Sequence, residues 1–231
     1  MTESVLEMHD IDKSYRRGPE EIHALRSASL TLNAGELVAL VGPSGSGKTT
    51  LLNVIAGWEE ADGGTMIWRG SELEKGGVDL GWNELAILPQ SLGLIEELSI
   101  RENIDLPVRL QRSTSSAADV EKLLGSLGLT ALADRYPDEV SLGEQQRAAL
   151  ARCLAHRPAL MMADEPTGHQ DVGWARTLLE TIRAATSAGT ACLMVTHHAA
   201  AAGFADRVLA IKDGAIAPAD HLDTDLLGED L

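Results

Sequence analysis

The stretch Gly42-Pro43-Ser44-Gly45-Ser46-Gly47-Lys48-Thr49 constrains the fold of this chain more than any other, because it matches G-x-x-x-x-G-K-[S/T] in full. Glu36-Leu37-Val38-Ala39-Leu40-Val41 precedes it and reads as a buried strand. Thr49-Thr50-Leu51-Leu52-Asn53-Val54-Ile55-Ala56 follows it and reads as a helix stopped by Gly57. Strand, glycine loop and helix together form a phosphate cradle. Gly42, Gly45 and Gly47 let the backbone turn its N–H groups inward, and the helix start adds unpaired N–H groups and a positive dipole end. Lys48 is placed to bridge the β- and γ-phosphates, and Thr49 to offer its hydroxyl to Mg²⁺. The expected ligand is a nucleoside triphosphate.

Further along, Ala159-Leu160-Met161-Met162-Ala163 is an apolar run ending in Asp164-Glu165. A carboxylate at a strand end can hold Mg²⁺ through water, and its neighbour can polarise an attacking water. Ala191-Cys192-Leu193-Met194-Val195 is a second such run. Strands without alternation, separated by helices, indicate a parallel sheet covered on both faces, hence an α/β fold. Helices are expected from about Leu94 to Gly128 with a break at Ser113-Thr114-Ser115-Ser116, from Glu144 to His156, and from about Trp174 to Ser187. Val5-Leu6-Glu7-Met8 and Ala28-Ser29-Leu30-Thr31-Leu32 alternate as strands, with a loop over Arg16 to Glu21 between them.

Composition narrows the partners. Acidic residues number 35 against 19 basic, a formal net charge of -16. Such a surface repels phosphate backbones and disfavours nucleic acid as a direct partner. The tail from Asp220 to Leu231 adds Asp223, Asp225, Glu229 and Asp230 without one Lys or Arg, and is expected to be solvated. Cys153 and Cys192 lie inside apolar runs without C-x-x-C spacing, which indicates buried, reduced thiols. The N-terminus has no secretory pattern, and no apolar run approaches the length needed to cross a bilayer.

Val140-Ser141-Leu142-Gly143-Glu144-Gln145-Gln146-Arg147 opens an alanine-rich helix. Here the chain resembles the ATP-binding cassette (ABC) ATPases, whose signature reads L-S-G-G-[E/Q]-Q-Q-R in many members. The resemblance extends over nearly the whole length. It implies the P-loop ABC ATPase fold as a single domain: a mainly parallel core sheet with an N-terminal antiparallel β subdomain over about 1–89 and 158–220, a helical subdomain over about 90–157, and the acidic tail 221–231. Tyr15 matches the aromatic residue that stacks on adenine. Gln90, in Ile87-Leu88-Pro89-Gln90, matches the residue that contacts Mg²⁺ and the lytic water, beside Thr49 and Asp164. Pro166 to Asp171 matches the D-loop, and His197 the switch histidine that contacts the γ-phosphate. No N-K-x-D guanine motif is present, so the nucleotide is ATP rather than GTP.

The resemblance further implies two chains head to tail around two ATP molecules. Ser141, Gly143 and Glu144 of one chain face the nucleotide held by Gly42 to Thr50 of the other, and Asp171 lies at the crossing. The partner is a second copy or a paralogous cassette. Glu21 to Ser27, Leu98 to Ile104 and Glu144 to Arg147 look most like the lipoprotein-releasing and macrolide-exporter group. Membership implies a separate transmembrane permease, a location on the inner face of the membrane, and an exporting or force-transmitting role. The alternative is a soluble ABC ATPase acting on a scaffold such as iron–sulfur assembly. Two departures stand out: Leu142 replaces a signature glycine, where left-handed backbone would strain it and its side chain would crowd the opposing phosphate; and His169-Gln170 alters the D-loop. His198 reads as a solvated neighbour of His197, and Trp58, Trp68, Trp82 and Trp174 match no motif.

Overall fold

A computed structural model describes residues 3–74, 77, 80–81, 84–111 and 117–219. The break at Ser113 to Ser116, Trp82 and the acidic tail lie outside the described residues. Two sheets form the frame. The first pairs β1 (Ser4–Arg17), β2 (Glu20–Asn33), β4 (Gly63–Trp68) and β5 (Ser71–Glu72) in the order β2-β1-β4-β5, antiparallel throughout. The second runs β10 (Ala215–Pro218), β9 (Arg207–Lys212), β3 (Leu37–Val41), β8 (Ala191–Val195), β7 (Leu160–Asp164), β6 (Leu85–Leu88). Its strands are parallel except for β10, which folds back on β9 as a hairpin.

The pleat explains why the core strands carry no alternation. Leu37, Ala39, Val41, Met161, Ala163, Cys192 and Met194 face one core, with helices α4 (Leu142–Leu154) and α5 (Val172–Ser187). Val38, Leu40, Leu160, Met162, Leu193 and Val195 face a second core, shared with α1 (Lys48–Ala56) and the antiparallel sheet. Successive side chains point to opposite faces, so a sheet covered on both sides needs every position apolar. Each large side chain so buried contributes about 1.5–3 kcal/mol. Cys153 and Cys192 are free and buried in the first of these cores, which pushes the Cys153 thiol up to about 12 and Cys192 higher still. Neither is a ready nucleophile.

Several boundaries differ from expectation. Arg16 to Glu21 is not a loop: β1 continues to Arg17 and β2 starts at Glu20, so only Gly18 and Pro19 turn. Tyr15 therefore stands on a strand, opposite Ile22. The expected helical stretch from Leu94 resolves into α2 (Ile100–Gln111) and α3 (Ala117–Ser126). Residues 94–99 stay irregular because buried Asn103 satisfies them. Its amide donates to Ile95 O, Leu98 O and Ser99 O, and its Oδ1 accepts from Ile95 N. Helix α4 starts at Leu142 rather than Glu144, and α5 at Val172 rather than Trp174. Among the described residues no helix is long and apolar enough to cross a membrane.

Candidate active site

Four motifs leave the same edge of the parallel sheet. Val41 runs into Gly42, Leu88 into Pro89-Gln90, Asp164 into Glu165, and Val195 into Thr196-His197. The register pairs Leu40 with Val195, Asp164 with Val195, and Leu88 with Ala163, so these exits are level with one another. Carboxyl ends of neighbouring parallel strands are where open α/β sheets bind ligands.

The phosphate loop is fixed by backbone crowding. Gly47 caps α1 in a left-handed conformation at φ 109, and a Cβ there would overlap the Ala24 carbonyl oxygen. At Gly42 a Cβ would overlap the Ile211 carbonyl oxygen. A cap without a side chain leaves the first-turn N–H groups of α1 facing outward. Lys48 Nζ reaches across the loop to donate to Gly42 O at 2.7 Å and Pro43 O at 2.8 Å. Burial pulls its ammonium below the ordinary value, while Glu165 and Asp164 push it back up. Ser46 Oγ is buried with no hydrogen-bond partner among the described residues.

Thr49, Gln90 and Asp164 line one cavity of about 470 Å³ together with Asn53, Trp58 and Ser91. A hydroxyl, an amide carbonyl and a carboxylate make an all-oxygen donor set, which suits a hard divalent cation. Burial, then the neighbouring Glu165 carboxylate, push the Asp164 carboxyl above its usual range, and Lys48 pulls it back. A carboxylate so placed is short of positive charge, and the residues fit Mg²⁺.

Glu165 adopts φ 51, a left-handed conformation that costs a residue of this type about 1–3 kcal/mol. Three hydrogen bonds hold it there: its N–H donates to Val195 O at 3.0 Å, and its carbonyl accepts from Gly168 N at 3.1 Å and Gln146 Nε2 at 3.1 Å. The bend aims the carboxylate at His197, whose Nδ1 lies 2.7 Å from Oε1. Oε2 is buried without a hydrogen-bond partner among the described residues. Strain, an orienting histidine and one unoccupied oxygen are what a carboxylate base needs.

Tyr15 sits at the flank of this region. Its hydroxyl donates to Glu59 Oε2, whose other oxygen accepts from Asn53 on α1, and Thr50 also reaches the phenol. Lys13 Nζ lies 5.7 Å from the ring centroid. Burial first, then Glu59, push the phenol up.

The signature residues stand apart. Ser141 caps α4, accepting from Glu144 N at 3.3 Å, while Glu144 Oε2 accepts from Ser141 N at 2.7 Å and Oγ at 2.8 Å. These bonds hold the Glu144 carboxyl below its usual range. Leu142 is the first residue of α4 and half exposed, outside the positive-φ region, so the expected backbone strain is absent. Gly143 O accepts from Gln170 Nε2 at 2.9 Å. Asp171, expected at the chain crossing, caps α5 through a bond from Trp174 N at 2.9 Å.

Gln146, Gln170, Arg152 and Trp174 hold positions between these elements that the sequence alone does not assign to them. Gln146 and Gln170 join α4 to the D-loop backbone. Arg152 donates to Leu92 O and Gly93 O, tying α4 to the segment after Gln90. Trp174 carries no motif, yet the Arg147 guanidinium stacks 3.9 Å from its ring centroid while donating to Leu127 O and Gln170 Oε1. Trp174→Ala is expected to destabilise the fold by about 2–4 kcal/mol through the lost cation–π contact and the hole left beside Gly128. Urea denaturation of the variant measures this directly.

A phosphate loop, an acidic strand end and a histidine after the next strand, all at one end of a parallel sheet, define a P-loop nucleoside triphosphatase. The profile described as ABC transporter matches residues 25–168. The chain is 36% identical over 220 residues to the bacitracin export ATP-binding protein BceA of Halalkalibacterium halodurans, covering 92% of this chain and 87% of that protein. It is 37% identical over 218 residues to the lipoprotein-releasing system ATP-binding protein LolD of Zymomonas mobilis, covering 91% of this chain and 94% of LolD. A solved dimeric structure of MJ0796, a bacterial ABC transporter cassette, superposes with TM-score 0.82 at 28% identity, over 94% of this chain and all of that one. A post-hydrolysis dimer of the same cassette with ADP and Pi gives the same figures. The chain belongs to the ABC transporter family as an ATP-hydrolysing cassette, and it is similar to the ATP-binding proteins of lipoprotein-releasing and bacitracin-export systems.

Proposed function

We propose that this cassette hydrolyses ATP between two chains and drives a separate transmembrane permease from the inner face of the membrane, as an exporter or a force transmitter. One observation carries the coupling. Gln90 and Ser91 line both the cavity with Thr49 and Asp164 and a second groove of about 760 Å³. That groove runs between the segment after Gln90 and the turn before α4, with Tyr136 and Leu142 exposed in it and Glu96, Asp138 and Glu139 around them. A groove that exposes Tyr136 and Leu142 among acids suits a short basic segment of a permease, and Gln90 places that contact one residue from the chemistry.

The same geometry supports the part played by a second chain. Ser141 to Glu144 form a helix N-terminus suited to an anion, but none of them lines the cavity of Thr49 and Asp164. The two anion sites of one chain serve different nucleotides. The dimeric MJ0796 cassettes support this arrangement.

In the proposed reaction Glu165 takes a proton from water as it attacks the γ-phosphate in line. Lys48 and the loop N–H groups neutralise charge spreading over the phosphoryl oxygens. His197 orients Glu165 and contacts the γ-phosphate. Thr49, Gln90 and Asp164 would hold Mg²⁺, which when bound supplies further positive charge to the phosphates. Tyr15 stacks on adenine, so Tyr15→Ala is expected to weaken ATP binding about tenfold, a loss of about 1–2 kcal/mol of stacking energy. Unchanged affinity in a nucleotide titration would remove Tyr15 from the site.

Leu142 brakes turnover by standing where the family has glycine. Leu142→Gly is expected to raise ATP turnover severalfold, although glycine costs the helix about 1 kcal/mol. A phosphate-release assay showing no rise would dispose of the brake. The permease is tested by affinity capture of tagged Glu165→Gln protein with ATP from detergent-solubilised native cells. A stoichiometric polytopic membrane protein supports the reading; a soluble partner alone contradicts it.

A further inference from the structure

Two consecutive residues on an extended strand point to opposite faces. His197 and His198 do not. The chain has left β8 at Val195, and the two imidazole centroids lie 4.0 Å apart, tilted by 39°. Glu165 completes the group, and one donor atom from each of Glu165, His197 and His198 falls within 4.8 Å of the others. Among the described residues this is the one group of three His, Cys or acidic side chains so gathered.

We infer that Glu165, His197 and His198 form an inhibitory site for a borderline-soft divalent cation of the zinc type, distinct from the all-oxygen set of Thr49, Gln90 and Asp164. Two imidazoles and a carboxylate are a zinc donor set, with a fourth position left for water. Tetrahedral zinc places its ligands about 3.3 Å apart, so a small rotation of the two rings, His197 exposed and His198 partly so, completes the site. Magnesium, which seeks oxygen donors and octahedral geometry, does not compete well for imidazole. The arrangement thus separates the cation that supports ATP chemistry from one that stops it. Zinc bound here occupies the proposed base and its orienting histidine. The inhibition rests on the catalytic roles proposed above; the binding does not.

His198 is the discriminating residue, because it has no assigned part in ATP hydrolysis. The first measurement is calorimetric titration of the full nucleotide-free chain with Zn²⁺ alone. The wild type is expected to bind one ion, with His198→Ala at least tenfold weaker. His198→Asn, which keeps a good cap residue at the start of the short helix Ala199–Ala202, is expected to behave the same way. His9→Ala, altering a distant histidine beside Glu7, is expected to bind like the wild type. The second measurement is ATP turnover in excess Mg–ATP with buffered free Zn²⁺. The wild type is expected to lose at least tenfold where His198→Ala keeps most of its rate. Equal zinc affinity in wild type and both His198 variants, or no stoichiometric binding, overturns the site. Zinc binding through His198 in a chain that turns over no ATP leaves the site standing and removes the catalytic reading instead.

Discussion

Glu165→Gln is expected to lower ATP turnover at least a hundredfold while leaving ATP affinity within about threefold of the wild type. A positioned general base contributes about 10²–10⁴ in rate, and glutamine keeps the shape of the side chain without its proton affinity. The substitution is conservative in the fold as well. Glu165 is held at φ 51 by bonds from its backbone N–H and to its backbone carbonyl, none of which involves the carboxylate. Melting temperature should therefore barely move. The unpartnered Oε2 and the 2.7 Å contact of Oε1 with His197 are the features at stake. Single-turnover hydrolysis alongside a nucleotide-binding titration separates the two effects. Turnover close to wild type in the variant would assign the base elsewhere.

Lys48→Ala is expected to weaken ATP binding about a hundredfold and to abolish detectable turnover. The ammonium is partly buried at the start of α1, held over the loop by the Gly42 and Pro43 carbonyls, and sits between the phosphate cradle and two carboxylates. Charge-assisted hydrogen bonds contribute about 1.5–3 kcal/mol each, so losing the cation against a triphosphate costs about two decades in affinity. The folded chain should tolerate the change, because the lysine bonds serve the loop rather than the core. Removing it also takes away the cation that pulls the Asp164 carboxyl down, so that carboxyl rises further. Equilibrium dialysis with radiolabelled ATP reads the affinity. Wild-type binding by the alanine variant would mean that the glycine loop does not hold the phosphates.

The parts of this molecule that the sequence made legible are those where local chemistry has few solutions. Gly47 at φ 109 against the Ala24 carbonyl admits no other residue, and the five buried residues of β3 or β8 admit few polar ones. Asp164-Glu165 stood out because it ends an apolar run, whereas His197 stood out only through the resemblance to the family. What escaped depends on contacts between distant segments. Trp174 has meaning only through Arg147, and Asn103 only through the carbonyls of Ile95, Leu98 and Ser99. The φ expected of Leu142 failed because Ser141 caps the helix one residue earlier, placing the leucine in its first turn. Asp171 matched a motif by position, while its carboxylate is engaged locally as a cap. His198 read as a solvated neighbour, and only the turn after Val195 brings its ring against that of His197.

In the proposed cycle ATP is bound between two chains. Light-scattering mass of purified Glu165→Gln protein, with and without Mg–ATP, tests that claim most directly. A monomer that doubles its mass with ATP, and returns to monomer when Ser141→Arg is added, is the predicted result. A monomer at saturating ATP would contradict it.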